Sequence, residues 1–241
     1  MDGPVTYRLD DSIATIAMDD GKVNAFSLQM FAGLNAALDQ ANADQAVVVL
    51  TGREGVFSAG FDLLALGAGG PDAAILLRSG FEFAERVMSY PRPLVIACNG
   101  HAIAMGVFVL LSGDYRIGVE GPYKITANEV ALGLTMPRTA VEICRQRLSP
   151  AHFNRAVILA ETYVPEDAVG AGFLDRVVQP SELQDVARRT AAQLAKLDMD
   201  AHAATKLRAR DRALKAVRAA IKADEADFQS MSRGTAAVSE A

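Results

Sequence analysis

Residues 94–111 read LVIACNGHAIAMGVFVLL, greasy enough for a membrane span but interrupted by Asn99, Gly100, His101 and Gly106. A helix crossing a bilayer needs roughly 20 predominantly apolar residues, whereas a buried strand needs only a short run. The interruption divides the stretch into LVIAC, a glycine-bearing turn, and a second apolar piece. That is the pattern of a buried strand, a tight connection and a buried helix. The preceding Pro91-Arg92-Pro93 blocks any helix arriving from upstream.

The same order recurs on either side. Upstream, AVVVLTG (46–52) is a short apolar run, and FSAGFDLLAL (57–66) turns at Ala59 and Gly60 before becoming helical. YRLDDSIATIAMD (7–19) alternates around Asp10 and Asp11 as a hairpin does. SLQMFAGLNAALDQANAD (27–44) offers Ser27 as N-cap and sets Met30, Phe31, Leu34, Ala37, Leu38 and Ala41 at helical spacing. Downstream, HAIAMGVFVLLSG (101–113) is expected as helix and DYRIGVE (114–120) as strand. Recurrent strand, turn and helix units give an α/β fold. From Pro137 onward the chain is mainly helical, with Gly172 stopping one short helix and an Ala-rich, charged helix near the end. GAGGPD (67–72) and SRGTAAVSEA (232–241) are the two pieces expected to be flexible.

Composition narrows the function classes. The 241 residues are 51% hydrophobic and 22% charged, enough for one full core with a small appendage. A net charge of −5 disfavours nucleic acid as a partner. The start of the chain shows no basic segment followed by an apolar one, so no signal peptide is expected. Cys98 and Cys144 form no disulfide pattern, which suits a reduced, cytoplasmic compartment. His101, His152 and His202 have no ligand spacing, so no metal is expected. His101, in the second glycine turn, is expected to be a hydrogen-bonded structural residue. Ser58 has no His–Asp pattern that would make it a nucleophile.

The chemistry lies in the two turns, FSAGFDL and NGHAIAMG. Each precedes a helix, and helix N-termini present unpaired N–H groups with a positive dipole end. Two such groups converging on one point would hold a developing oxyanion. Taken singly, each turn is no more than a tight connection, and neither matches a dinucleotide or phosphate-loop fingerprint. Asp62 is expected to cap the helix after the first turn. Further on, NEVALGLTMP (128–137) puts one carboxylate, Glu129, among Val130, Ala131, Leu132 and Leu134.

Taken in order, VFSAGFDL, PLVIACNGHAIAMG, GDYRI, NEVALGLTMP and AVGAGFLDRVV resemble the crotonase superfamily, the enoyl-CoA hydratase/isomerase family, across nearly the whole chain. The resemblance implies a spiral of ββα units and a C-terminal helical region that trimerises. The core would span residues 1–190 and the helical region 191–241. It also implies an acyl-CoA thioester as substrate rather than a bound cofactor, and a homotrimer or dimer of trimers. It makes the backbone amides of Phe61 and Met105 the oxyanion donors. Many relatives carry glycine where this chain has Met105, so a positive φ at that position would strain the methionine. Hydratases of the family resemble one another in having two glutamates. One matches Glu129, and the other matches Phe108, so one carboxylate is missing. KVNAFSLQMF, DYRI and the Asn-Glu pair are similar to single-glutamate Δ3,Δ2-enoyl-CoA isomerases. The expectation is therefore an enzyme that moves a double bond from 3-enoyl-CoA to 2-enoyl-CoA with Glu129 as acid and base. A hydratase and a non-catalytic acyl-CoA binder are the alternatives. By carry-over, Lys22, Val23, Ala25, Ser58 and Gly60 would line the CoA path, Lys22 being as readily a plain solvated lysine. Gly106, Phe108, Leu132, Leu134 and Pro137 would shape the acyl pocket.

Overall fold

An uninterrupted apolar strand needs both faces covered, and the strand at Val47–Thr51 has that cover. Val47 and Val49 pack into one apolar cluster with Val95, Ala97, Ile117 and Val186, while Val48 and Leu50 pack into the larger cluster on the opposite face. The computed structural model describes the backbone of residues 3–239 and the side chains of residues 3–227.

In chain order the elements are β1 (Val5–Asp10), β2 (Ile13–Met18), β3 (Ala25–Phe26), α1 (Leu28–Ala43), β4 (Val47–Thr51), β5 (Gly55–Ser58) and β6 (Gly60–Phe61). Then come α2 (Leu63–Gly67), α3 (Gly70–Ser89), β7 (Leu94–Cys98), β8 (Gly100–Ile103), α4 (Met105–Ser112), β9 (Tyr115–Val119) and β10 (Ile125–Thr126). A 3-10 turn at Val130–Leu132 leads to α5 (Arg138–Arg145), α6 (Pro150–Val157), α7 (Pro165–Ala171), β11 (Arg176–Val178), α8 (Leu183–Leu194) and α9 (Met199–Ser239).

The large sheet has the order β1-β2-β4-β7-β9-β11, and a small sheet has the order β10-β8-β5. Only β1 and β2 pair antiparallel; β4, β7, β9 and β11 follow in parallel. Each turn of the chain gives one strand to the large sheet, the next to a smaller one, and then a helix. β4 with β5, β7 with β8, and β9 with β10 repeat this step. It is the spiral of ββα units, and it stacks the three strand-to-helix turns at one end. Helix α8 covers one face of the large sheet, and α1, α3 and α4 build the core on the other.

The hairpin, the helix capped by Ser27 and the strand at 94–98 are as expected; Ser27 Oγ accepts the Met30 amide at 3.1 Å. Two expectations need correction. Residues 101–103 are strand, not helix, because Gly100, Ala102 and Ile103 pair with β5 and β10. Gly100 is fixed there by space: a Cβ would lie 1.9 Å from the Gly55 carbonyl carbon. The GAGGPD piece is mostly helical, since α2 ends at Gly67 and α3 starts at Gly70. Of the tail expected to be flexible, 232–239 continues α9, and the last two residues lie outside the described residues.

Helix α9 packs on α3 and α5 through charged groups as well as apolar ones. Lys206 Nζ, nearly buried, donates to the carbonyls of Tyr90 (2.7 Å) and Arg92 (3.2 Å) and to Asp114 (2.6 Å). Arg210 donates to the carbonyls of Met88 (2.7 Å) and Gly113 (3.3 Å). These are the open C-terminal ends of α3 and α4, where cations are favoured. At the other end, buried Asp224 accepts the Arg138 amide (3.0 Å), the Thr139 amide (2.9 Å) and the Thr139 hydroxyl (2.7 Å). Pro137, the residue before α5, has no side chain able to cap it, so Asp224 serves from a distant helix. Asp224→Ala is expected to cost about 2 kcal/mol of stability, since it leaves buried N–H groups unpaired. Urea denaturation measures this, and Asp224→Asn should retain part of the loss.

Candidate active site

The first glycine turn is built by β6 pairing with β3. The carbonyls of Val23 and Phe26 accept the amides of Ala59 and Asp62, both at 3.0 Å. Ser58, fully buried, donates its hydroxyl to the Asn24 carbonyl (2.7 Å) and accepts the Gly60 amide (3.1 Å). It therefore holds the turn, with its side chain committed inward. Asp62 caps α2 as expected, accepting the Leu64 and Ala65 amides at 2.9 and 3.2 Å.

The second turn presses against the first. Gly60 has φ +98°, and a Cβ there would come within 3.0 Å of Ala104 Cβ and 3.4 Å of Met105 N. A Cβ on Gly106 would sit 2.5 Å from the Ser58 carbonyl oxygen. Both glycines are thus needed for the two backbones to approach. The strain expected at Met105 falls instead on Ala104, which has φ 49° and ψ −121°. That region is almost reserved to glycine and costs on the order of 1–3 kcal/mol. Tertiary contacts hold it: the Ala104 amide donates to Thr126 O at 3.0 Å, and its carbonyl accepts the Val107 and Phe108 amides at 2.9 and 3.3 Å. Met105 and Gly106 follow as the first residues of α4, where N–H groups have no partner within the helix.

The bond to Thr126 also brings in the carboxylate. Ile103 pairs with Thr126 across β8 and β10, and Glu129 is three residues further on. The Glu129 carbonyl accepts the amides of Leu132 (3.0 Å) and Leu134 (2.9 Å), which fixes the loop backbone. Its side chain is turned inward, leaving the residue 9% exposed, and Oε2 is buried with no hydrogen-bond partner. Asn128 Oδ1 is buried and unpartnered in the same way. Burial pushes the Glu129 carboxyl up to about 7, and a hydrogen bond from its own backbone opposes this weakly. Its charge is felt by the buried thiol of Cys144 on α5, which it pushes further up. Phe108, 1% exposed, stands in the first turn of α4 and packs against Phe81 with ring centroids 6.3 Å apart.

The other expected residues divide into two groups. Lys22, Val23 and Ala25 meet in a surface groove of about 640 Å³ that Asp19, Asp20 and Asp62 also line. All three carboxylates are engaged: Asp19 accepts the Gly21 amide at 2.8 Å and pairs with Arg53 at 3.5 Å. Asp62 caps α2, and Asp20 accepts the Lys22, Asn24 and Ala25 amides. Lys22 is exposed and is, among the described residues, the one cation lining this groove. Leu132 and Leu134, by contrast, are 59% and 56% exposed, so in the single chain they flank the loop rather than enclose a pocket. A larger cleft of about 810 Å³ between α5 and α9 contains none of the expected site residues. His101 is structural, as expected: its Nδ1 accepts the Lys124 amide at 2.9 Å and its ring meets Tyr123 edge-on. Among the described residues no group of three His, Cys, Asp or Glu is arranged to hold a metal, and no helix is long and apolar enough to cross a membrane. The importance of Ala104 was not visible in the sequence, since alanine does not announce a positive φ. Asn128 stood beside Glu129 with nothing to show that its amide oxygen is buried unpaired.

The enoyl-CoA hydratase/isomerase family model matches residues 8–237. An enoyl-CoA hydratase/isomerase family protein from Pseudomonas syringae, of known crystal structure, is 47% identical with a TM-score of 0.92, covering 93% of this chain and 98% of its own. Human mitochondrial enoyl-CoA delta isomerase 1 is 30% identical over 186 residues, which are 75% of this chain and 62% of that protein. Carnitinyl-CoA dehydratase from Salmonella paratyphi A is 29% identical over 185 residues, 76% of this chain and 70% of that enzyme.

A carboxyl raised in the folded state favours folding while protonated and opposes it once ionised. The wild type should therefore lose stability relative to Glu129→Gln as pH rises from the ordinary value of 4.5 through about 7. The full difference is on the order of 3 kcal/mol, reached above that window. Denaturant melts of both proteins at pH 4 and pH 8 measure it, and the gap should be near zero at the lower pH and full at the higher.

Proposed function

The chain belongs to the enoyl-CoA hydratase/isomerase family, and on that premise we propose that it shifts the double bond of a 3-enoyl-CoA to the 2-enoyl position. One observation carries the choice: Glu129 holds a buried, unpaired carboxyl oxygen, while a buried phenylalanine, Phe108, stands at the position matching the second glutamate of hydratases.

The chemistry follows from one acid/base group and two donors. Glu129, ionised, takes a proton from C2 of the substrate. The C–H electron pair moves into the thioester, and charge develops on its oxygen. The amides of Phe61 and Met105 hold that oxygen; loss of one such donor costs ~3–4 kcal/mol in comparable sites. The enolate electrons then form the C2–C3 double bond, the old C3–C4 bond opens, and C4 takes the proton back from Glu129. Atoms and charge balance with no other reactant. A carboxyl pushed up to about 7 suits a group that must both accept and release a proton near neutrality. Adding water to a 2-enoyl thioester asks for more, because the water must be activated as well as the α-carbon protonated. Phe108 provides no base for that step. On the CoA side, Lys22, Val23, Ala25 and Gly60 are assigned to the path leading to the thioester, while Ser58 supports the turn from behind.

Incubation with 3-enoyl-CoA and, separately, 2-enoyl-CoA in deuterium oxide tests the proposal. Isomerisation gives 2-enoyl-CoA and no 3-hydroxyacyl product, with deuterium at C4 only to the extent that the proton held by Glu129 exchanges with solvent before its return. Rapid formation of 3-hydroxyacyl-CoA would mean a hydratase, and binding without turnover a non-catalytic carrier. Glu129→Gln should lower kcat by about 10³-fold or more while folding normally. The wild-type kcat/KM should rise with pH through about 7, as Glu129 ionises, and near-normal turnover of the Gln variant would remove Glu129 from the mechanism.

A further inference from the structure

Gly80 lies buried inside the 20-residue helix α3, where glycine costs about 1 kcal/mol relative to alanine. Space explains its presence. A Cβ at Gly80 would lie 2.5 Å from Phe61 Cε1, 2.6 Å from Phe61 Cζ and 3.1 Å from Phe31 Cζ. The helix thus has a notch, and the ring of Phe61 fills it. The ring is boxed on its other sides. It meets Phe31 edge-on with centroids 6.3 Å apart, and Phe81 edge-on at 6.2 Å. Phe31 in turn stacks on Phe26 at 5.0 Å, and Phe81 leans on Phe108 at 6.3 Å. A ring held on three sides cannot slide sideways to make room; displacement passes to its own backbone. That backbone is a two-residue strand between Gly60 at φ +98° and the helix cap Asp62.

We propose that Gly80 is a positioning residue for the reaction: the absence of a side chain there sets the depth of the Phe61 ring, and so the direction of the Phe61 N–H. The inference rests on the reading of that N–H as an oxyanion donor. It extends the site to α3, an element that contributes no group to the chemistry. Helix propensity alone would favour alanine at this position, so an active and more helical Gly80→Ala protein would contradict the proposal at once.

A double-mutant cycle tests it. Gly80→Ala is made in the native chain and in Phe61→Leu, and kcat and KM are measured for 3-enoyl-CoA. In the native background Gly80→Ala should lower kcat by about 10²-fold, the scale of an ångström-sized misplacement, with KM changed by less than about threefold. In the Phe61→Leu background, where no ring fills the notch, the same change should alter kcat by less than about twofold. Equal losses in both backgrounds would overturn the proposal. A rise in KM alone would also overturn it, because the ring would then have swung into the substrate path without moving the amide. If Gly80→Ala does not fold by circular dichroism, Phe61→Leu with and without it decides: similar kcat supports the coupling, and a further large loss refutes it. Wild-type turnover in the same assay separates the two levels. An inert wild type removes the parent reading as well, whereas an active wild type with an uncoupled cycle removes only this inference.

Discussion

The hydrogen bond from the Ala104 amide to the Thr126 carbonyl joins the parts on which the site depends. On one side of it is the strained residue that turns β8 into α4 and leaves the Met105 amide free of the helix ladder. On the other is the loop that carries Glu129. Ala104 alone would relax out of its positive φ, since an L-residue gains nothing there. Three hydrogen bonds to its own amide and carbonyl keep it in place, and Gly60 packs against its Cβ at the distance only a glycine allows. The constraint therefore acts on both turns and on the carboxylate loop together.

That arrangement is braced from outside by α9. Arg210 of α9 reaches the carbonyls of Ser112 and Gly113 at the C-terminal end of α4, and Asp224 of α9 caps the N-terminal end of α5. One helix thus steadies the far end of the helix that bears the Met105 amide and the near end of the helix that follows Glu129. Charges in such places are expensive to desolvate. Burial depresses the Lys206 ammonium to about 8, although Asp114 pulls the other way. Multiple carbonyl acceptors offset that cost, so the contact sets geometry as well as adding stability.

Much of the fold was legible because its signals are local. Paired apolar runs flanked by turns gave the β4 and β7 strands, and Ser27 with its helical spacing gave α1. The strand β8 was not legible, since GHAI runs into a helix-like apolar stretch and its pairing with β5 and β10 is a tertiary fact. The site was partly legible. Glu129 and the two turns stand out as residue types, and Asp62 was readable as a cap. Strain at Ala104, the committed hydroxyl of Ser58 and the cap from Asp224 depend on contacts between distant segments. No periodicity encodes them. The reason for Gly80, the ring of Phe61, is likewise a contact between distant segments.

Glu129 sits buried with an unpaired carboxyl oxygen, on the loop that the Ala104–Thr126 bond ties to the second turn. Titration of that carboxyl in the folded protein, by ¹³C-carboxyl NMR with Glu129→Gln to assign the signal, tests it most directly. The expected signal is a carboxyl that titrates near 7 and vanishes in the variant. A signal for Glu129 at the ordinary value of 4.5 would mean a solvated side chain and would contradict its role as the buried acid/base group.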